Sequence, residues 1–576
     1  MTTGPFIDAG LILGLVGMLL SGRVVPARAF ALFALATILT GRIGFRAAFD
    51  ALSSPAIWAV VSLVIFSLAL GKLPVLRRAF FARRPQGLRA TLTRLLASAW
   101  LASAVAPNTA VVAAMMGPAS RRPNVSSHQL LLPLSYMALA AGMITPFGTS
   151  ASLMVVGQAA AQGVSLSVID FVLPGFITAA GVFIVLMLVA PWLLKESPGA
   201  GSESVEIFAV EANISEDSRL VGRTIAETHL RQLHSFYLAE IIRGGRLIAP
   251  VRPDQQMFSG DRLIFVGDIN HMDELQAING LTLHPDDEEY RHDNSYRAVV
   301  SGESVLVGRT LREVEFRSRF DASVLAVRRA DQAVSGKLGE VRLQPGDLLL
   351  LAAGPDFHTR DNLRANLYLL DSDDSGLSKL SNRNAILLGL GFSGFLIAAL
   401  FQLVPVALAA LILVAAAILF DWVSPREARR NFPFDLVIVL WGAVLLSLLV
   451  RESGLSGFIA DHVAGFSVGL SPFAALAAIF FMAWLMTEFF SNTSAALIAL
   501  PVALDTASAV GADPTAFALA AAFGASASFF MPFGYQTHLM VLSPGRYSLA
   551  DYLRLGAVVF VVYAVLSLGT LSYFAL

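Results

Sequence analysis

The chain has 576 residues, 56% hydrophobic and 14% charged, with a formal net charge of -1. A mean hydropathy of +0.67 excludes an ordinary soluble protein, and the near-zero charge gives no global field for nucleic acid. There is no Cys, which excludes disulfides, Cys-based metal or redox sites, prenylation and palmitoylation; Thr2 stands where myristoylation needs Gly.

Apolar runs predict membrane helices over Phe6–Leu20, Ala29–Leu39 and Ala56–Leu70. No basic segment precedes Phe6, so the first run reads as a membrane helix and not a cleaved signal. Lys72, Arg77, Arg78, Arg83, Arg84, Arg89 and Arg94 follow without an acid among them. The positive-inside rule puts that stretch in the cytoplasm. Leu95–Pro118, Leu130–Leu139 and Phe171–Leu194 complete a first half.

Composition changes at Lys195. From there to about Asn382 the chain is polar and carries its own repeat. LVGRTIAE from Leu220 returns as LVGRTLRE from Leu306, and SGDRLIFVGD from Ser259 as PGDLLLLAAG from Pro345, both at an offset of 86. Phe236–Ile242, Arg262–Val266, Ser323–Arg328 and Asp347–Leu351 read as strands, with Gly-Asp turns before the last of each set. The segment is therefore two copies of a small α+β unit, and Asp371–Ser381 is a linker.

The second half has runs at Ala385–Leu403, Val404–Phe420, Phe434–Val450, Phe473–Met486, Ser491–Leu500, Ala516–Phe530 and Leu553–Leu571. Arg426, Arg429 and Arg430 mark a cytoplasmic loop. With a cytoplasmic insert the two halves are inverted, one beginning outside and the other inside. The expected division is 1–194 first membrane repeat, 195–290 and 291–382 inserted domains, and 383–576 second membrane repeat.

Two pairs of motifs recur across the halves. ASAVAPNTAVVAAMMGP from Ala102 matches TEFFSNTSAALIALPVA from Thr487, and PFGTSASLMVVG from Pro146 matches PFGYQTHLMVLS from Pro532. Asn108 lies 38 positions before Pro146, and Asn492 lies 40 before Pro532. Broken apolar segments at matching places in two halves point to a transporter's binding site. A helix that begins inside a membrane exposes unpaired N–H groups and the positive end of its dipole, which attract an anion. Asn and Thr can cap the helix or serve a ligand. The plainer reading, kinks in packed membrane helices, suits one Asn-Thr but not four segments in one order.

These residues resemble the divalent anion/sodium symporter family, which includes dicarboxylate, citrate and sulfate carriers. The LVGRT…SGD pair resembles the ligand-binding TrkA-C, or RCK-C, unit of potassium-channel regulators. The combination looks most like the sulfate-type branch. The resemblance implies an inverted-repeat elevator-type fold with re-entrant hairpins, a homodimer in membrane lipid, sodium coupling, and a plasma-membrane location with the inserted domains cytoplasmic. It implies substrate contacts at Asn108, Thr109, Ser491, Asn492 and Thr493, and a cation-binding or coupling role for Pro107, Gly148, Thr149, Ser152, Gly534, Thr537 and His538. Three of these depart from the family: Pro107 replaces a Ser, while Ser152 and His538 stand where Asn is usual. Pro107 fits a helix start but supplies no hydroxyl. His538 raises proton coupling, against the plainer reading of a side chain that caps a loop on a protein partner. The RCK-C likeness implies a nucleotide or cyclic dinucleotide ligand, against a ligand-free dimerisation platform.

Glu488, Arg451 and Glu452 read first as interfacial charges at helix ends, and second as gating groups. His271, His284 and His292, near Asp286, Asp287, Glu288 and Glu289, fit no standard metal spacing and read as solvated linker. No nucleotide loop, Ser-His-Asp set or paired catalytic carboxylates occur, so no enzyme is expected. The function expected is secondary transport of a small divalent anion, sulfate or dicarboxylate, coupled to sodium. The alternatives are a ligand-gated ion permease, disfavoured because no Thr-Val-Gly-Tyr-Gly filter is present, and a non-transporting anion sensor.

Overall fold

The structure is a computed structural model. In its helical part it describes residues 4–20, 26–70, 87–120, 125–194, 381–400, 403–430, 432–452, 471–489 and 492–575; between the halves it describes most of 208–267 and 295–371, with 278–285. The first half contains α1 (Gly4–Leu20), α2 (Pro26–Leu39), α3 (Phe45–Leu52), α4 (Pro55–Leu70), α5 (Leu88–Ser103), α6 (Asn108–Ser120), α7 (Ser127–Ala141), α8 (Ser150–Ala161) and α9 (Val168–Leu193). The second contains α10 (Asn382–Leu400), α11 (Val406–Leu419), α12 (Pro425–Arg430), α13 (Phe434–Glu452), α14 (Pro472–Phe489), α15 (Asn492–Val510), α16 (Pro514–Ala525), α17 (Gln536–Leu542) and α18 (Leu549–Ala575). Each helix has its counterpart nine labels on. Among the described residues, four helical stretches are long and apolar enough to cross a membrane: Phe45–Phe66, Val168–Leu193, Asn492–Val510 and Leu549–Tyr573.

Local sequence explains the boundaries. Pro26, Pro55, Pro425, Pro472 and Pro514 each open a helix, where a missing N–H costs nothing. Asp513 accepts from Thr515 N–H at 2.8 Å and caps α16. Asp170 accepts from Ser167 N–H at 2.7 Å in a capping box on α9. The predicted run Ala516–Phe530 is shorter in the structure: α16 stops at Ala525, and 526–535 form a loop around Pro532.

The packing is reciprocal, as a two-fold between the halves requires. α2 packs on α13 and α4 on α11; α6 packs on α17 and α8 on α15; α9 packs on its own counterpart, α18. The apolar interior divides into two bodies. One is built from α5–α9 and α14–α18. The other is built from α1–α4 and α10–α13. Phe147, Leu153, Met154 and Leu497 of the first body join the core of the second, and the Phe147 ring lies 5.9 Å from Phe395 in α10. α7 is buried on every side from Leu130 to Ala141, and α16 from Ala516 to Ala525, as helices apolar all round must be. Small residues let these helices meet: a Cβ at Gly524 would overlap the Phe480 backbone.

The insert contains two five-stranded antiparallel sheets. The first has β1 (Phe208–Ile214), β2 (Phe236–Arg243), β3 (Arg246–Ile248), β4 (Arg262–Gly267) and β5 (Leu281–Pro285), in the order β3-β2-β4-β1-β5. The second has β6 (Ser295–Val300), β7 (Ala322–Arg329), β8 (Gln332–Ala333), β9 (Leu348–Ala353) and β10 (Leu367–Leu369), in the order β8-β7-β9-β6-β10. The orders are the same strand for strand. A register shift falls at Leu238/Glu240 in one and at Val324/Ala326 in the other. Both Gly-Asp turns form as expected. Gly260 and Gly346 take positive φ of 80° and 83°, and the next Asp is buried. Asp261 binds Arg243 at 2.8 Å and the Phe258 N–H; Asp347 binds Arg329 at 2.8 Å and the Gln344 N–H. These charged hydrogen bonds hold both guanidinium groups above their ordinary pKa.

Asp347→Ala leaves Arg329 and the Gln344 N–H without their shared acceptor, worth about 1–3 kcal/mol. In the full chain, the temperature at which trypsin begins to cut within 295–371 is expected to fall. Asp261→Ala should do the same within 208–267, and an unchanged cleavage temperature for both would count against the Arg–Asp pairs as the fasteners of these turns.

Candidate functional site

The first break follows Ser103. Pro107 does not cap with a side chain, but its carbonyl accepts from the Ala110 and Val111 N–H groups and so starts α6. Asn108 is buried, and its backbone N–H donates to Gly148 O at 3.3 Å. Space is the reason for both glycines of the facing loop. A Cβ at Gly142 would overlap the Asn108 side chain, and one at Gly148 would overlap the Gly142 backbone. Thr149 Oγ1 accepts from Ser152 N–H at 3.2 Å and caps α8, and the two hydroxyls lie 2.7 Å apart. Ser152, in the place of the expected Asn, is thus engaged within its own loop and with Met143 Sδ at 3.4 Å. Thr109 is half-buried on the first turn of α6.

The second break lies between α14 and α15. Ser491 lies outside the described residues. Asn492 is buried, and its Oδ1 accepts from Thr487 Oγ1 at 2.8 Å; Thr493 is half-buried beside it. Gly534 faces Ser528 Oγ with no room for a side chain.

Glu488 is a correction to the interfacial expectation. It is 4% exposed, and its carboxylate accepts from the backbone N–H groups of Phe529 (3.1 Å), Phe530 (3.2 Å) and Met531 (3.1 Å) and from Trp484 Nε1 (3.3 Å). The physical reason is that α14 ends inside the protein, so its last charge meets loop N–H groups instead of water. The first half has no carboxylate here. Ala104, four residues before Asn108 as Glu488 is before Asn492, offers its carbonyl to Thr145 Oγ1 at 2.6 Å. The side chains of Arg451, Glu452, His284 and Asp286–Glu289, and all of His271 and His292, lie outside the described residues. Among the described residues no group of three or more His, Asp or Glu is placed to hold a metal.

Thr537 and His538 bind the other half. Ser135 Oγ in α7 lies 2.7 Å from Thr537 Oγ1 and 2.7 Å from His538 Nδ1. His538 Nε2 lies 2.7 Å from Ser528 O. A carbonyl only accepts, so Nε2 carries a proton and donates to Ser528 O, and the buried ring bridges two segments through both its nitrogens. Tyr535 makes a second crossing: its hydroxyl accepts from Asn108 Nδ2 at 3.0 Å. It follows Gly534 as Thr149 follows Gly148, so a phenol in one half replaces a small hydroxyl in the other.

Several buried polar atoms at these breaks have no protein partner: Ser103 Oγ, Asn108 Oδ1, Asn492 Nδ2, Ser526 Oγ and Ser528 Oγ. Groups of this kind in a native protein call for an explanation, and a ligand is one. Sequence reading passed over Ser103, Thr487 and Tyr535. A signal for the first two was available, since each hydroxyl stands five residues before its Asn in both halves. Sodium prefers hard oxygen ligands, and the unpartnered Ser103 Oγ and Asn108 Oδ1 fit that demand.

Mirrored halves that bring broken helices and unpartnered polar atoms into one body define a membrane carrier. A family model described as Citrate transporter matches residues 15–569, and the chain belongs to that family; it is a carrier and not an enzyme. It is 29% identical to a Chlamydomonas reinhardtii protein named as a sulfur deprivation response regulator, over 91% of this chain and 94% of that one. It is 28% identical to an uncharacterized transporter of Synechocystis, over 79% of this chain and 78% of that one. It is 25% identical to sodium/sulfate cotransporter 2 of C. reinhardtii, over 61% of this chain and 41% of that one.

Glu488→Ala strands three loop N–H groups, each worth about 1–3 kcal/mol when unpaired. The purified protein should lose several degrees in Tm, with Glu488→Gln recovering part of it; equal Tm for all three proteins would argue against the carboxylate as the loop's fastener. His538→Asn should leave the pH profile of uptake unchanged, because both ring nitrogens are engaged by buried protein groups; a flattened profile would show the opposite.

Proposed function

We propose that the chain is a sodium-coupled secondary carrier of a small divalent anion, with sulfate favoured over a dicarboxylate. The observation that carries this reading is the complementary set of unpartnered atoms at the two breaks. The first break leaves Ser103 Oγ and Asn108 Oδ1; the second leaves the amide donor Asn492 Nδ2 together with Ser526 Oγ and Ser528 Oγ of its facing loop. Oxygens suit a cation and N–H groups an anion. Either charge alone is costly to desolvate, and the two together offset one another, which is a physical basis for coupling. Asn108, Thr109, Asn492 and Thr493, with the half-helix N–H groups and Ser491, are read as the anion contacts. Ser103, Asn108 and the loop carrying Gly148 and Thr149, with Thr487, Asn492 and the loop carrying Gly534, are read as the cation side. Sodium, when bound, supplies the positive charge that the loops lack, since neither motif contains Arg or Lys.

The names of two relatives, sodium/sulfate cotransporters 1 and 2 of C. reinhardtii, favour sulfate. The division into two apolar cores supports one body sliding on the other in an elevator-type cycle, in a homodimer with the insert cytoplasmic. A second reading, an anion sensor, is favoured by the relative named as a sulfur deprivation response regulator.

In proteoliposomes, labelled sulfate uptake is expected to rise with an inward sodium gradient, to exceed labelled succinate uptake, and to fall at least tenfold in Asn492→Ala. Succinate uptake instead would move the substrate and keep the site. Saturable sulfate binding without uptake under any gradient would favour the sensor.

A further inference from the structure

The second sheet unit is fastened to the body that holds the site. Ser543, the residue after α17, is buried; its hydroxyl donates to Gly346 O at 2.5 Å and accepts from Ala330 N–H at 3.0 Å. Gly346 approaches so closely that a Cβ would lie 2.5 Å from Leu539 O in α17. Ala330 holds a φ of 54° to present its N–H, a conformation uncommon for a residue other than Gly. A second contact lies on α6, where a Cβ at Gly117 would lie 2.7 Å from Leu370 O. Val299, Leu348 and Leu370 of this unit belong to the apolar core of the site-bearing body. Among the described residues none of the unit's side chains belongs to the core of the other body.

The first unit makes no such joint at the matching positions. Gly244 and Gly260, 86 residues before Ala330 and Gly346, are exposed, and a Cβ on either would meet nothing within 4 Å. The fold is the same in both units, so docking is a property of the second unit's residues.

Both helices that touch the second unit begin at the candidate site. α6 starts at Asn108 and ends at the unit. α17 starts two residues after Gly534 and ends at Ser543. Rigid helices of 13 and 7 residues span about 20 Å and about 10 Å at ~1.5 Å per residue. The chain itself leaves this unit at Asp371 and continues to α10, in the other body.

We propose that the second inserted unit is a fixed passenger of the site-bearing body, locked through Ser543 in every ligand state and carried with it. The insert would then act on transport by loading the moving body, with the exposed edge of the first unit as its free end. This rests on the elevator reading above. The chain contains no Cys, so the pair Ala330→Cys and Ser543→Cys can be introduced alone. In full-length protein in proteoliposomes, copper-phenanthroline should abolish maleimide labelling of the pair but not of either single variant. Sulfate uptake by the oxidised pair should stay within twofold of the reduced pair. A pair that stays reactive, or an oxidised pair whose uptake falls tenfold and returns with reductant, would overturn the proposal. Hydrogen exchange of the unaltered protein is the second measurement: segments 326–333 and 539–546 should be equally protected with and without sodium and sulfate, and deprotection by either would also overturn it. If the unaltered protein takes up no anion, the carrier reading fails, while thiol labelling and exchange still decide whether the joint holds.

Discussion

A helix that starts in the middle of a membrane must find partners for its first N–H groups, and there is no water at that depth to supply them. Much of the described architecture answers that demand. Pro107 opens α6 with a residue that has no N–H to satisfy. Asn108 and Gly148 tie the start of α6 to the loop before α8. Thr149 caps α8 from the same loop. In the second half Glu488 supplies the acceptor for three successive loop N–H groups. The partner is local for Thr149 but comes from 40 or more residues away for Asn108 and Glu488, and these ties let irregular backbone persist beside the buried helices α7 and α16.

The halves answer the same demand with different chemistry. Around Asn108 the loop is closed by carbonyls and hydroxyls, and oxygens remain unpartnered. Around Asn492 it is closed by a carboxylate and an imidazole, and an amide N–H and two serine hydroxyls remain unpartnered. The buried Glu488 carboxylate meets four donors, three backbone N–H groups and the Trp484 indole. The mirrored scaffold thus carries two unlike ends, which a symmetric duplication alone would not produce. Thr537, His538 and Tyr535 then hold those ends together through Ser135 and Asn108.

Periodicity and repeated words made the broad plan legible. The Asn-Thr and Pro-Phe-Gly pairs announced two halves, and the offset of 86 announced two sheet units, because duplicated chain keeps its turn residues. The Gly-Asp turns are the clearest case: a positive φ needs Gly, and the following Asp closes the turn onto Arg243 or Arg329. What could not be read was anything set by contact between distant segments. Glu488 looked interfacial because hydropathy records that α14 ends, not where it ends. For His538 the sequence could not name Ser135 and the Ser528 carbonyl, the groups its ring nitrogens meet. Ser103 and Thr487 were visible as a matched offset, yet a lone Ser or Thr in a membrane helix is too common to single out. The run drawn to Phe530 overshot because Phe529 and Phe530 are apolar in a loop as much as in a helix.

The two apolar cores give these details a common frame. Phe147, Leu153, Met154 and Leu497 of the first body lie in the apolar core of the second, and Val105, Val168 and Ile498 pack against it. The ties that are specific and directional run within the site-bearing body: Asn108 to Tyr535, Ser135 to His538, Tyr136 to Phe529 O at 2.6 Å, and His128 to Gly545 O at 2.8 Å. All of them cross between the halves, so the body that gathers both breaks is stitched by hydrogen bonds while its boundary with the other body is greased by aliphatic and aromatic contact. Hydrogen bonds need a set distance and angle, whereas apolar contact is non-directional. Directional bonds thus fix the two halves of one body on each other, while non-directional apolar contact joins that body to its neighbour.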